Sequence, residues 1–276
     1  MKKFSLICPI YKTEDTIKRC IDSIIDQRDY PDWEFIGVCD GKSEKVEEIF
    51  KEYENEKRIR LITIEHGGAP AARNAGAKLA TGDYFSFFSS DFMAYPGMLR
   101  EWADAFDENP DCGFIYGGYD LLQDNNYIDS LNSEPFDARQ LEVHNYIDGG
   151  FPLRKEVYIE WDETIKSLQD WDFWLTIVKK GVKGYFIGTR TYAADMPKAG
   201  GLSNDSSDNW IERTDTIKRK HGIPDRPICV SSLGAIPHAK RIAKILDADF
   251  QIMPSFKPNK YKMIYLLGYN ALNPTH

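Results

Sequence analysis

Gly82-Asp83-Tyr84-Phe85-Ser86-Phe87-Phe88-Ser89-Ser90-Asp91 is the stretch that decides the fold. Tyr84 to Phe88 is a short, strongly aromatic run and reads as a strand buried on both faces, as strands are in a parallel sheet covered by helices. The run stops at Ser89-Ser90-Asp91, so an acid stands where such sheets bind ligands, in the crevice beyond the carboxyl ends of their strands. Upstream, Phe4 to Cys8 is a strand closed by Pro9, and Ile17, Ile21, Ile24 and Ile25 recur at helical spacing. Trp33 to Val38 is a second strand, with Asp40 at its end. A charged helix follows over Lys42 to Glu54, striped by Val46, Ile49 and Phe50. Ile59 to Ile64 is a third strand, and Gly67 and Gly68 loosen the turn into an Ala-rich helix from Ala69 to Ala80.

Downstream, Pro96 suits the first turn of a helix that runs to Glu108 and is closed by Asn109-Pro110, and Cys112 to Tyr119 is a further strand. Polar Asp124-Asn125-Asn126 and Glu134-Pro135 then predict loops around a mixed or antiparallel patch. A helix returns over Asp170 to Lys180, a strand over Tyr185 to Gly188, and Pro197 to Ser207 has the Gly, Ser and Asn content of a mobile lid. Trp210 to Lys220 is a helix ended by Gly222 and Pro224. Beyond it, Ile228 to Ser232, Ala239 to Leu246 and Phe250 to Met253 read as strand, helix, strand, with a further element at Tyr261 to Leu267. The expected class is α/β: a mostly parallel, Rossmann-like sheet flanked by helices, a mixed region beside it, and a C-terminal strand-helix-strand extension. The expected domains are 1–223 and 224–276. The second either packs on the first or opens a further α/β domain of a longer parent chain. The latter is preferred, because one such unit alone rarely buries its own apolar faces.

A chain of 276 residues that is 42% hydrophobic can bury a full core, which predicts a soluble globular protein. The formal charge of -8, with basic residues interleaved among acids, argues against a nucleic-acid partner, which would need clustered Lys and Arg. Cys8, Cys20, Cys39, Cys112 and Cys229 form no C-x-x-C pair, so neither a zinc site nor a disulfide framework is expected. No apolar run approaches the roughly 20 residues needed to span a bilayer, and Met1-Lys2-Lys3-Phe4 leads straight into a strand. The expected location is the cytoplasm, with peripheral contact at the inner membrane face left open.

Three acids carry the chemistry. Asp40 in Val38-Cys39-Asp40-Gly41-Lys42-Ser43 can accept an N–H from a flat polar ring, although the same fragment is also an ordinary strand-turn-helix corner. It is no P-loop, since only three residues separate Gly37 from Gly41, and no G-x-G-x-x-G follows the first strand. Asp91 offers a hard oxygen to Mg or Mn gripping a diphosphate, or else is simply a turn acid. Asp170 either serves chemistry or marks a helix start. Asp172, two residues on, lies on a different helix face, so at most one of the two meets a cleft while the other meets solvent. Trp171 and Trp174 read as core. His66, His144, His221, His238 and His276 form no i, i+4 pair and are given no role.

In order, these stretches resemble family 2 glycosyltransferases, the GT-A, nucleotide-diphospho-sugar transferase fold, over roughly Phe4 to Ser207. Pro9-Ile10-Tyr11 is similar to the family's "P-x-Y" turn, Cys39-Asp40-Gly41 to its "D-D-G-S" corner, and Ala72-Arg73-Asn74-Ala75-Gly76 to "A-R-N-x-G". Thr81-Gly82-Asp83-Tyr84 leads into Ser89-Ser90-Asp91 as "G-E-Y" leads into D-x-D, and Gln169-Asp170-Trp171-Asp172-Phe173-Trp174-Leu175 resembles "E-D-W-D-L-W-L". The resemblance implies that Pro9, Tyr11 and Asp40 line the base and ribose pocket and that Arg73 and Ser90 help hold the nucleotide. It also implies that Asp91 binds Mn or Mg and that Asp170 is the general base of an inverting transfer from a UDP-sugar to a hydroxyl of a carbohydrate or lipid-linked glycan. Cys39 and Ser89 replace acids of the family pattern, and Asp195 stands where the family often has a metal-binding His. Those replacements motivate a rival reading, a degenerate GT-A module that binds nucleotide-sugar or glycan without catalysis. A sugar nucleotidyltransferase is disfavoured, because Pro9-Ile10-Tyr11-Lys12 is no Gly-rich triphosphate loop.

Overall fold

Alternating apolar strands and amphipathic helices build the first half in the expected order: β1 (Phe4–Ile10), α1 (Ile17–Ile25), β2 (Trp33–Asp40), α2 (Glu44–Lys51), β3 (Ile59–Ile64), α3 (Ala69–Leu79) and β4 (Tyr84–Ser86). The computed structural model describes residues 1–195, 210–224, 228–232, 249–252 and 262–265. β3, β2, β1 and β4 lie side by side and parallel, so the carboxyl ends of β1 and β2 stand together, with Pro9 opposite Val38 and Ile10 opposite Cys39. α2 starts two residues later than the charge pattern suggests because Ser43 caps it, its Oγ accepting from the Val46 N–H at 3.4 Å. β4 ends at Ser86 rather than Phe88, since pairing to β1 stops at Leu6. Phe87 and Phe88 continue into the core as buried irregular chain.

The second half is mixed. It contains β5 (Phe92–Ala94), α4 (Met98–Glu108), β6 (Phe114–Gln123), β7 (Asn126–Leu131), α5 (Ala138–Leu141), β8 (Leu153–Arg154), α6 (Gln169–Lys179) and β9 (Gly184–Asp195). β8 joins β4 to β6 antiparallel, β9 runs parallel to β6, and β5 closes the edge against β9, giving one nine-stranded sheet. Asp124 and Asn125, with φ of 51° and 65°, form the turn between β6 and β7, the mirror-image turn that a tight hairpin needs. α4 begins at Met98 behind an αL Gly97, so Pro96 precedes the helix instead of lying in its first turn. β9 is far longer than Tyr185 to Gly188, because register shifts opposite β6 let the strand bend and continue to Asp195.

α7 (Trp210–Lys220) follows. The chain divides into two compact units, Met1–Ile217 and Lys218–His276. In the second, β10 (Ile228–Ser232) pairs in parallel with β11 (Asp249–Ile252) on one side and β12 (Lys262–Tyr265) on the other. The expected lid at Pro197 to Ser207 and helix at Ala239 to Leu246 lie outside the described residues. Cys8, Cys20, Cys39 and Cys112 are free and buried.

The amino ends of the strands are tied by Glu34. Its carboxylate accepts from Ser5 Oγ at 2.7 Å, from the Thr81 N–H at 2.7 Å and from Thr81 Oγ1 at 2.8 Å, and it pairs with Arg60 at 2.9 Å and Lys3 at 3.4 Å. Gly82 completes the corner: a Cβ there would lie 2.6 Å from Ser5 Oγ, so only glycine lets the turn before β4 touch β1. Burial pushes the Glu34 carboxyl up, but the Ser5 and Thr81 hydrogen bonds and the Lys3 charge outweigh it and hold the group below the usual range. Its stabilisation is therefore complete above the unfolded pKa, about 4.3, and is lost as pH falls through the lower native value. Glu34→Ala is expected to destabilise the fold by about 3 kcal/mol, read as a lower urea midpoint at unchanged slope. Glu34→Gln should also flatten the acid limb of stability against pH.

Candidate active site

One end of the candidate site forms where β1 and β2 finish. Asp40, 3% exposed, accepts from the Gly67 N–H at 2.7 Å and the Gly68 N–H at 3.0 Å, and lies 3.0 Å from His66 Nδ1. It thus shapes the β3–α3 turn, while its Oδ1, with Gly67 as its one partner, keeps a second lone pair. Tyr11, 48% exposed, stacks on the His66 ring at 4.5 Å and 18°. An exposed aromatic face close to a buried acceptor is what a planar ring with an N–H group requires.

The next section of the cleft belongs to Asp91. Antiparallel pairing of β5 with β9 sets Phe92 opposite Ala194, which brings Asp195 beside Asp91, and the Asp195 N–H donates to the Asp91 carbonyl at 3.3 Å. Arg19 of α1 clamps the pair, donating to the Asp91 carbonyl at 3.1 Å and to Asp195 Oδ2 at 2.7 Å. Its other amino group reaches Asn125 at the hairpin tip at 2.6 Å. Burial raises the Asp91 carboxyl, with Ser89 bonding against that shift and the Asp195 charge adding to it, and Asp91 Oδ1 is buried without a partner. Ser90 is buried, its hydroxyl donating to Thr13 Oγ1 at 2.8 Å. An unpartnered buried oxygen beside a second carboxylate fits a hard divalent cation. Among the described residues no group of three or more His, Cys, Asp or Glu is gathered, so such a cation would need diphosphate oxygens to complete its shell.

Asp170 forms the far end. It sits in the first turn of α6, its Oδ1 accepting from the Trp171 N–H at 2.9 Å and its Oδ2 from Asn145 Nδ2 at 2.8 Å. Burial raises its carboxyl, while the Trp171 N–H and the Arg73 charge pull the other way. Arg73 donates to Gln169 Oε1 at 3.0 Å and lies over the Trp161 ring at 4.2 Å. Burial lowers its guanidinium to about 10 against the opposing charges of Asp170 and Asp148, so it stays charged at neutral pH. Its neighbour Asn74 fixes this arrangement. The Asn74 amide donates to the Trp161 carbonyl at 2.9 Å and to Glu163 at 3.0 Å, and accepts from the Trp161 N–H at 2.8 Å and Tyr158 Oη at 3.1 Å.

Between these ends lies Asp148. Its Oδ1 accepts from the Gly150 N–H at 2.7 Å and from Tyr192 Oη at 2.8 Å. Burial, with the charges of Asp170 and Asp91 adding, pushes its carboxyl up to about 6. Gly149 and Gly150 make the bridge: a Cβ on Gly149 would meet Asp170 Cβ at 3.4 Å, and one on Gly150 would lie 2.5 Å from the Phe92 ring. Only glycine fits at 150, whereas the contact at 149 is an ordinary van der Waals one. The structure thus brings Asp91, Asp148, Asp170, Asp195 and Arg73 within electrostatic reach of one another. Asp172 does not meet solvent as expected; it is 3% exposed, because α6 is enclosed on nearly every side.

Residues 5–161 match the family model described as glycosyl transferase family 2, more than half of the chain. The chain belongs to that family. It is similar to the putative teichuronic acid biosynthesis glycosyltransferase TuaG of Bacillus subtilis, with 30% identity over 191 residues, covering 66% of this chain and 74% of the relative. An uncharacterized glycosyltransferase of Rickettsia conorii shares 29% identity over 63% of this chain, which spans 31% of that longer relative. Among solved structures, S. aureus TarS 1-349 matches with a TM-score of 0.64 at 20% identity, over 80% of this chain and 64% of that one, which shows the GT-A type of fold. No helix among the described residues of this family 2 chain is long and apolar enough to cross a membrane.

Sequence reasoning missed Arg19, His66, Asn145 and Asp148, whose roles depend on partners distant in the chain. Only Asp148-Gly149-Gly150, an acid before two glycines, carried a local signal. Asn74→Ala is expected to lower stability by about 2 to 4 kcal/mol in urea unfolding, because the Trp161 backbone loses both partners. Asp148→Asn should behave oppositely. A raised native carboxyl makes the wild type relatively more stable below about pH 3.9 and progressively less so as pH rises to about 6. The variant, which can still accept from Gly150 and Tyr192, should therefore melt higher than wild type at pH 8, with the advantage vanishing near pH 4.

Proposed function

We propose that this chain is an inverting glycosyltransferase that moves a sugar from a UDP-sugar to an acceptor hydroxyl, with Asp170 as general base and with Mn2+ or Mg2+ as cofactor. The reading rests on one observation. A partly buried Asp170 whose carboxyl is raised and a buried, unpartnered Asp91 oxygen flank the Asp148-Gly149-Gly150 loop, which packs on Asp170 on one side and on Phe92, next to Asp91, on the other. Pro9, Tyr11 and Asp40 take the base and ribose, with Asp40 accepting from the uracil ring, and Arg73 and Ser90 help hold the nucleotide. Asp91 and Asp195 would hold the cation, which when bound offsets charge on the leaving diphosphate. Asp170 takes the proton from the acceptor hydroxyl, that oxygen bonds to the anomeric carbon, and the bond to the diphosphate oxygen breaks on the opposite side. An α-linked donor therefore gives a β-linked product, and no protein nucleophile is needed.

Support for the donor comes from S. aureus TarS 1-349, crystallised with UDP and with UDP-GlcNAc. Support for a surface-polysaccharide acceptor comes from the name of TuaG. The catalytic unit is 1–223, working at the cytoplasmic side with peripheral membrane contact. UDP release from a panel of UDP-sugars, with Mn2+ and glycan acceptors present, tests the reading. Asp170→Asn should lower kcat by about two to four orders of magnitude while donor binding persists. Asp91→Asn should abolish metal-dependent donor binding. Unchanged turnover in either variant refutes its role, and donor binding without release by the wild type would favour a non-catalytic binding module.

A further inference from the structure

Asp148 stands apart from the other acids of the cleft in what its surroundings leave undone. Its Oδ1 is saturated by two donors of fixed position, the Gly150 N–H and Tyr192 Oη, while its Oδ2 makes no hydrogen bond with the described residues. The bond to Gly150 is an ordinary Asx turn, which asparagine or serine makes equally well. A turn alone does not call for a carboxylate, and enclosing one is unfavourable unless its charge is used. Tyr192, fully buried, orients the group from behind. Its ring stacks on Phe92 at 4.7 Å and on Tyr119 at 5.6 Å, and this packing holds the hydroxyl that donates to Asp148.

The loop carrying Asp148 lies between two of the other acids. On one side Gly150 packs on Phe92, the residue after Asp91, and on the other Gly149 packs on Asp170. In an in-line displacement, the group between the leaving diphosphate and the base that activates the acceptor is the sugar being transferred. Sugar hydroxyls are hydrogen-bond donors, and a carboxylate oxygen of fixed orientation is a strong acceptor for them. The buried, unpartnered Asp91 Oδ1 independently marks the same cleft as built for a ligand.

We propose that Asp148 is the donor-sugar specificity residue: its Oδ2 accepts from a hydroxyl of the transferred sugar, and Tyr192 and Gly150 position it to do so. The inference rests on the UDP-sugar reading given above. A donor lacking that hydroxyl leaves a buried anion unpaired, which is the strong form of discrimination available to a binding site.

Calorimetric titration of the wild type and Asp148→Asn with UDP, UDP-glucose, UDP-galactose and UDP-N-acetylglucosamine, all with Mn2+, tests this. The wild type is expected to bind at least one UDP-sugar more tightly than UDP. Asp148→Asn should keep its UDP affinity within about twofold and lose roughly tenfold or more in affinity for that UDP-sugar. Deoxy analogues of the same donor give a test on the unaltered protein, where deletion of one hydroxyl should reproduce the loss and should cost the variant nothing further. An equal loss for UDP and UDP-sugar, an unchanged UDP-sugar affinity, or indifference of the wild type to every hydroxyl deletion overturns the assignment of Asp148. Failure of the wild type to bind UDP at all overturns the donor reading itself, and this is visible separately because UDP carries no sugar.

Discussion

One buried carboxamide holds the two walls of the cleft together. Asn74, on α3, satisfies both the N–H and the C=O of Trp161, and Trp161 lies in the segment that delivers α6 and Asp170. The same residue fixes Arg73, its neighbour on the helix, against the Trp161 ring and Gln169. An apolar contact in this place would tolerate sliding, whereas a fully bonded amide does not, because each broken bond leaves a buried polar group unpaired. The position of Asp170 relative to the parallel half of the sheet is therefore set to within a hydrogen bond's tolerance.

That precision permits a second, costly feature. Asp91, Asp148 and Asp170 are all raised by burial, and the charge of Asp170 pushes Asp148 up further. Fixed donors limit the penalty. Backbone N–H groups serve Asp148 and Asp170, Asn145 serves Asp170, and Arg73 supplies positive charge nearby. Arg19 does the same for Asp195 and ties α1, the end of β9 and the β6–β7 hairpin tip into one corner. A site that concentrates negative charge in this way is less stable than its neutral counterpart, which is a pattern of functional sites.

The parallel half was legible because its signals are local. Apolar runs such as Phe4 to Cys8 and Trp33 to Val38, and the helical spacing from Ile17 to Ile25, reflect burial by layers on both sides of the sheet. The mixed half was only outlined. β5, α5 and β8 span just three, four and two residues, too short to show periodicity, and they exist because longer partners offer them edges to pair with. The extent of β9 was hidden for a related reason, since it depends on register shifts against β6 rather than on its own residues.

Three of the acids announced themselves because each stands at an element end, and residue type with position was enough to nominate Asp40, Asp91 and Asp170. The sequence by itself also determined the family, through short motifs in fixed order, and the α/β class, through the alternation of strand and helix patterns. Only the tertiary structure decided that His66 lies against Tyr11 and Asp40, that Arg19 guards Asp195, and that Asp148 stands between the two ends of the cleft. Those pairings join residues many positions apart, and their strength comes from the exclusion of water by walls that no single segment supplies.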